Sequence, residues 1–173
     1  MVKTSTIRQR PALAALLAFF LSVSIAGCGF HLRGETDLSF ESVYIDSAGT
    51  SQFATELRRV FKGNSAVKLV DAPEQAQVVL KVLEERQEQN ILSISAAGSV
   101  NEFQLLYRVS YRILDTQMQD LVPQQEITVR RDLTYDDTQT LGKESEVKLL
   151  FTDMRSDAVQ QMLRRLSVVN VPS

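Results

Sequence analysis

Alternating apolar and polar side chains in the second half of the chain predict β-strands. The clearest case is residues 103–114, where every second side chain is apolar and most of the others are polar. One face of this strand collects the apolar set Phe103, Leu105, Tyr107, Val109, Tyr111 and Ile113. Because Arg108, Ser110 and Arg112 fall on the other face, that face must meet water or a partner.

Three more strands are predicted on the same reasoning. Val43 and Ile45 mark a short first strand. Residues 76–83 are apolar on both faces, which is typical of an interior strand. A last strand has an apolar face formed by Ile127, Val129, Leu133 and Tyr135.

Two segments have the spacing of amphipathic helices. The first begins after Thr50 or Ser51 as N-cap and ends near Gly63. Its apolar stripe is Phe53, Leu57, Val60 and Phe61. The second helix starts between Asp136 and Ser145, and its apolar stripe is Val147, Phe151, Met154, Ala158, Met162, Leu163 and Leu166.

These elements follow one another in the order β-α-β-β-β-α. A right-handed βαβ unit makes the first two strands parallel, and hairpins join the later ones. We therefore expect an α/β two-layer sandwich, in which a mixed four-stranded sheet carries both helices on one face.

The first residues of the chain have the layout of a secretory leader. Lys3, Arg8 and Arg10 form a basic start, and an apolar run follows over residues 13–25. That run is shorter than the roughly 20 residues that span a bilayer. A leader is therefore favoured over a membrane-spanning helix.

Cys28, the only cysteine, stands where a lipid anchor would be attached. The sequence of residues 25–28, Ile-Ala-Gly-Cys, resembles a bacterial lipobox, whose cysteine receives a diacylglycerol and becomes the mature N-terminus. Gly29 follows instead of aspartate, which implies sorting to the outer membrane. An acylated cysteine is no nucleophile, and Cys28 with His31 supplies too few ligands for zinc. The predicted divisions are a signal peptide (1–27), a lipidated tether (28–40), an α/β domain (41–168) and a tail (169–173).

The remaining composition argues against nucleic acid and against catalysis. Loss of the leader moves the formal net charge from −2 to −5, whereas nucleic-acid binding needs a basic surface. No Gly-x-Ser-x-Gly elbow or Gly-rich phosphate loop is present. The acidic neighbours Glu84-Glu85 and Asp136-Asp137 favour a solvated strand end or helix cap over an acid/base pair. We expect no enzyme, cofactor or metal.

Basic residues late in the chain are the candidate ligand site. Arg131 shares the apolar face of the last strand, which requires a partner anion, snorkelling to water or a bulge at Arg130–Arg131. Lys143 lies near the start of the long helix, where backbone amides favour anions. Arg130 or Arg131, together with Lys143, would suit an amphiphile that carries phosphates.

The chain resembles the LptE family of lipopolysaccharide-assembly lipoproteins in several segments. CGFHLRG after the lipobox is the most specific of them. The VYIDS strand, the NEFQLLYRVSYRI strand and the closing TLGKESEV…MLRRL helix follow in the same order. The resemblance covers residues 28 to about 166.

This resemblance implies an assembly factor that plugs the outer-membrane β-barrel LptD in a 1:1 complex. The chain would be held in the inner leaflet by acylated Cys28 and would bind lipopolysaccharide on its way to the outer leaflet. Lys143 matches the family's lysine near the start of the last helix. Ala96 stands where the family has a basic residue at a hairpin tip. A lipopolysaccharide contact through this hairpin is therefore not carried over to this chain.

Two other functions remain open at the level of the sequence. One is an outer-membrane lipoprotein that scaffolds a different envelope complex, and co-purification without a barrel would favour it. The other is a periplasmic hydrolase, which would need an acid/base pair that the sequence does not provide.

Overall fold

The computed structural model describes residues 38–63, 66–96, 98–134 and 140–171. The predictions for the leader lie outside these residues. So do those for Cys28, His31, Tyr135 and the pair Asp136-Asp137.

Five strands and two α-helices make up this part of the chain. In chain order they are β1 (Ser42–Ser47), α1 (Gln52–Lys62), β2 (Lys68–Leu69), a 3-10 turn (Pro73–Gln75), β3 (Val78–Ile94), β4 (Val100–Leu114), β5 (Asp120–Thr134) and α2 (Thr140–Leu166). The start of α2 falls inside the predicted interval. None of the helices described is long and apolar enough to cross a bilayer.

The sheet is mixed, with the strand order β2-β1-β3-β4-β5. β1 runs parallel to β3, and β3, β4 and β5 are joined as antiparallel hairpins, as predicted. The prediction of four strands is wrong, because the two-residue strand β2 adds a fifth at the edge. β2 pairs with β1 through Ser42–Lys68 and Val43–Leu69. So short a strand has no alternation, and only the return of the chain beside β1 creates it.

β3 is much longer than its apolar segment. It has 17 residues, about 55 Å of extended chain, and continues from the predicted run through the polar residues 84–90 to Ile94. The extension pairs with β4 as far as Ile94–Val100. Polar side chains on both faces concealed this half of the strand, since alternation is visible only where one face is buried.

The core lies between one face of the sheet and both helices, as predicted. Val109 and Tyr111 of β4 are buried against Phe53 of α1 and Met154 of α2. Each such side chain contributes roughly 1.5–3 kcal/mol by leaving water. The core extends to Phe40 and Val169, which are also buried. A smaller apolar cluster on the other face consists of Val70, Ala76, Val79 and Leu114.

The long strands give the domain two distinct ends. At the end that we call the tip lie the β3–β4 turn, residues 95–99, and the start of α2. At the opposite end, the base, lie the β4–β5 turn, residues 115–119, and the end of α2. The chain also enters the domain at the base, where the Ser39 hydroxyl donates to the Val169 carbonyl at 2.5 Å.

Candidate functional site

The sheet face opposite the helices, which we call the outer face, is polar and crossed by a row of ion pairs. Arg108 in β4 stands between Glu88 of β3, at 3.7 Å, and Glu126 of β5, at 3.2 Å. Arg86 continues the row by contacting both Glu88, at 3.8 Å, and Glu84. The sequence predicts that the polar face of residues 103–114 meets water or a partner. In the structure, this face carries a row of alternating charge.

The charges of this row are paired with one another. A hydrogen bond from Arg86 to Glu84 and the charge attraction between them raise the pKa of Arg86 above its ordinary value. Arg112 is neutralised in the same way by Asp120, at 2.8 Å. Exposed pairs of this kind contribute little to stability. Their main effect is a hydrated surface with both signs interleaved.

Arg130 and Arg131 point to opposite faces of β5. The register with β4 is continuous here, through Leu106–Arg130 and Leu105–Arg131, so no bulge is present. Arg131 reaches from the helix face to the carboxylate of Asp157 on α2, which supplies the partner anion. Arg130 is exposed on the outer face and has no side-chain partner within the described part of the chain.

Lys143 lies in the first turns of α2 and donates to Glu146 at 2.9 Å. Its side chain is only 20 % exposed. Lys143 precedes Asp157, the partner of Arg131, by fourteen residues, which is about 21 Å of helix. The structure therefore places Lys143 at the tip end and holds Arg131 well away from it, so that they do not form one compact pair of charges.

Sequence reasoning missed an apolar patch at the tip. Ile91, Leu92 and Ile94 are between 49 % and 59 % exposed at the end of β3. Ala96 lies exposed in the turn, and Gly98 closes that turn with φ +88°, which favours glycine. The segment Ile-Leu-Ser-Ile ahead of a glycine turn was the available signal, because it returns apolar residues to a polar strand.

The acidic neighbours Glu84 and Glu85 are divided between the two faces, as predicted for a strand. Glu85 accepts hydrogen bonds from the Ser51 hydroxyl at 2.6 Å, the Phe53 amide at 3.2 Å and the Tyr107 hydroxyl at 2.6 Å. Burial and then Glu85 raise the pKa of Tyr107 well above its ordinary value. This carboxylate therefore secures the first turn of α1 to the sheet and has no acid/base partner.

Fold and surface together define a class of protein. Among the residues that the structure describes, no three His, Cys, Asp or Glu side chains form a group that could hold a metal. The features that stand out are a polar sheet face, an apolar tip and a basic residue near that tip. This combination is typical of a binding or assembly protein.

Comparison with known proteins gives the same class, an assembly protein, and also identifies the family. The model of the LptE family, described as lipopolysaccharide-assembly, matches residues 40–166. The LPS-assembly lipoprotein LptE of Pectobacterium atrosepticum is 32% identical over 84% of this chain and 79% of its own length. The protein of that name from Yersinia enterocolitica is 29% identical over 94% of this chain and 79% of its own length. The chain belongs to the LptE family, which is a family of assembly lipoproteins and not of enzymes.

Solved structures have the same fold. Lipoprotein B from Nitrosomonas europaea is 39% identical, with a TM-score of 0.70 over 80% of this chain and 90% of that one. The rare lipoprotein B from Shewanella oneidensis is 26% identical, with a TM-score of 0.65 over 73% and 94%. Both are lipoproteins by name, in agreement with the predicted class.

Proposed function

We propose that this chain is a lipid-anchored outer-membrane assembly factor that plugs the LptD β-barrel in a 1:1 complex. Acylated Cys28 holds it in the inner, periplasmic leaflet, and the α/β domain occupies the barrel lumen. There it binds lipopolysaccharide during its insertion into the outer leaflet. Membership of the LptE family and the lipobox resemblance support this proposal.

The outer face is the observation that carries the plug role. Lumens of outer-membrane barrels are lined by polar side chains and water. A sheet face with charges of both signs, such as Arg108 between Glu88 and Glu126, fits such a wall without burying an apolar surface. An unpaired charge in that position would carry a desolvation cost, which the internal pairing of the row reduces.

The tip is the part of the domain that we propose contacts lipopolysaccharide. Lys143 supplies a cation near the start of α2, the end of a helix that favours a phosphate. Ile91, Leu92 and Ile94 supply exposed apolar surface at the same end of the domain. Arg130 offers a second cation on the outer face, whereas Arg131 is engaged with Asp157.

A cross-linking experiment tests the plug role. A photoreactive amino acid in place of Ser110, on the outer face of β4, is expected to cross-link to an outer-membrane barrel in living cells. The matched control replaces Thr116 in the base turn, where we expect much weaker cross-linking to the barrel. Gentle detergent purification should then yield the barrel in equal amount. Recovery of some other envelope protein from Ser110 would favour the scaffold alternative.

The lipopolysaccharide site is tested by charge reversal at Lys143. Lys143→Glu is expected to weaken binding of purified protein to lipopolysaccharide about tenfold or more, because a charge-assisted contact contributes roughly 1.5–3 kcal/mol. Lys148→Glu makes the same charge change on the same helix, at an exposed position, and should leave the affinity within about twofold. Unchanged affinity in Lys143→Glu would remove this residue from the site and leave the plug role standing.

A further inference from the structure

The base of the domain carries an amphipathic cavity that the plug role does not use. The cavity measures about 410 Å³ and lies between the start of β5 and the end of α2. Leu121, Val122 and Val168 form its apolar wall, and Arg165 and Tyr111 form its polar side. The cavity therefore has one apolar side and one cationic side.

Apolar side chains project from the base into solvent. Val168 is 78% exposed beside the cavity, and Met118 is 51% exposed in the adjacent β4–β5 turn. Met118 has φ 60°, a left-handed conformation that is unusual for a residue with a side chain. Hydrogen bonds from its own amide and from the Gln117 and Gln119 amides to Asp115 close the turn in this form.

Two arginines at the base meet no carboxylate among the residues described. Arg165 donates to the Tyr111 hydroxyl at 2.8 Å and to the Glu126 carbonyl at 3.1 Å, so its charge meets no carboxylate there. The guanidinium of Arg164 has no partner among the residues described. By contrast, Asp115 accepts from turn amides and Asp120 is paired with Arg112. The guanidinium groups of Arg164 and Arg165 suit an anionic group such as a phosphate.

The chain that comes from Cys28 enters the domain at this surface. Ser39 is hydrogen-bonded to Val169, and Val169 lines the cavity, so the chain enters the domain beside it. The ten Cα–Cα steps from Cys28 to Leu38 can extend at most about 36 Å. The lipid on Cys28 is therefore joined to the domain through the base and not through the tip.

We propose that the base docks on the phospholipid headgroups of the leaflet that holds the anchor, in the lipoprotein that is not yet bound to a barrel. Val168 and Met118 enter the headgroup region, and Arg164 and Arg165 contact lipid phosphates. The tip then points away from the leaflet. The lipid on Cys28 supplies the attachment, and an apolar and cationic surface at the base orients the domain on the leaflet. This proposal rests on the acylation of Cys28 in the proposed function.

Site-specific quenching in vesicles tests the orientation. Val168→Cys in the purified acylated protein carries a thiol-reactive fluorophore, since a thioether-linked Cys28 does not react. The vesicles contain phosphatidylethanolamine, phosphatidylglycerol and a lipid with a nitroxide at headgroup depth. The matched control is Leu149→Cys, which lies on α2 toward the tip and is 63% exposed. The nitroxide lipid should lower the fluorescence at position 168 about twofold relative to position 149.

A second pair of variants tests the role of charge. Adding Arg164→Glu to Val168→Cys should reduce the quenching, and adding Lys148→Glu should not. Equal quenching at positions 168 and 149, with one label per chain, would overturn the docking proposal and leave the anchor intact. A second label, on an unmodified Cys28, would overturn the anchor and the docking proposal together. The label count therefore separates the two failures.

Discussion

At the scale of the residue, neighbouring side chains in β4 have opposite environments. Val109 is fully buried in the core, whereas the side chain of Arg108 is 36% exposed in the ion-pair row of the outer face. The alternation of the strand is the whole reason, because successive side chains leave a strand on opposite sides. Substitutions one position apart should therefore differ greatly in effect.

Val109→Asp is expected to lower the free energy of unfolding by several kcal/mol, because it places an unpaired charge in the core. Arg108→Ala, the control, removes exposed ion pairs and should cost about 1 kcal/mol or less. Thermal unfolding followed by circular dichroism measures both. Equal losses of Tm in the two variants would contradict the assignment of the two faces.

At the scale of the element, α1 shows how a single side chain fixes a helix start. Ser51 is the N-cap, and its hydroxyl accepts from the Ala54 amide at 3.0 Å while it donates to Glu85. Thr50, the other candidate of the sequence, is exposed. Glu85 binds the same helix start from β3, so the cap also joins the helix to the sheet.

Ser51→Ala should therefore destabilise the domain by about 1–2 kcal/mol, since it removes the cap and one hydrogen bond to a carboxylate. Thr50→Ala is the matched control, and its change in the free energy of unfolding should be near zero. Denaturant unfolding of the two variants measures the difference. A loss in Thr50→Ala as large as that in Ser51→Ala would mean that the cap contributes nothing specific.

At the scale of the whole molecule, the two ends of the domain have separate tasks in the proposals made above. The base receives the chain that comes from Cys28, and the tip carries Lys143 and the apolar patch. The ion-pair row covers the outer face between them. The surfaces that we propose for partner and ligand therefore lie away from the end at which the chain enters the domain.

Cys28→Ala is expected to abolish acylation and to leave an uncleaved or misprocessed precursor. The domain should fold with unchanged Tm, because the described core begins at Phe40. His31→Ala, three residues further on, is the control and should be acylated normally. Labelled palmitate and the mass of the purified chain report the outcome, and label on the alanine variant would rule out Cys28 as the anchor.

The sequence by itself determined the elements whose apolar pattern is strong. The inward face of β4, both helix stripes and the parallel pairing of β1 with β3 follow from local periodicity and from connection rules. The resemblance to the LptE family also rests on local segments, and the family match over residues 40–166 confirms it.

Only the tertiary structure decided the features that depend on pairing between distant residues. β2 exists because the chain returns beside β1, and the polar half of β3 is ordered by β4 and by the ion pairs of the outer face. Arg131 faces the helix layer, as the alternation of β5 predicts. The position of its guanidinium, however, is determined by the ion pair with Asp157 on α2. Such contacts leave no periodic trace in the sequence, because each partner is chosen by the fold and not by its neighbours in the chain.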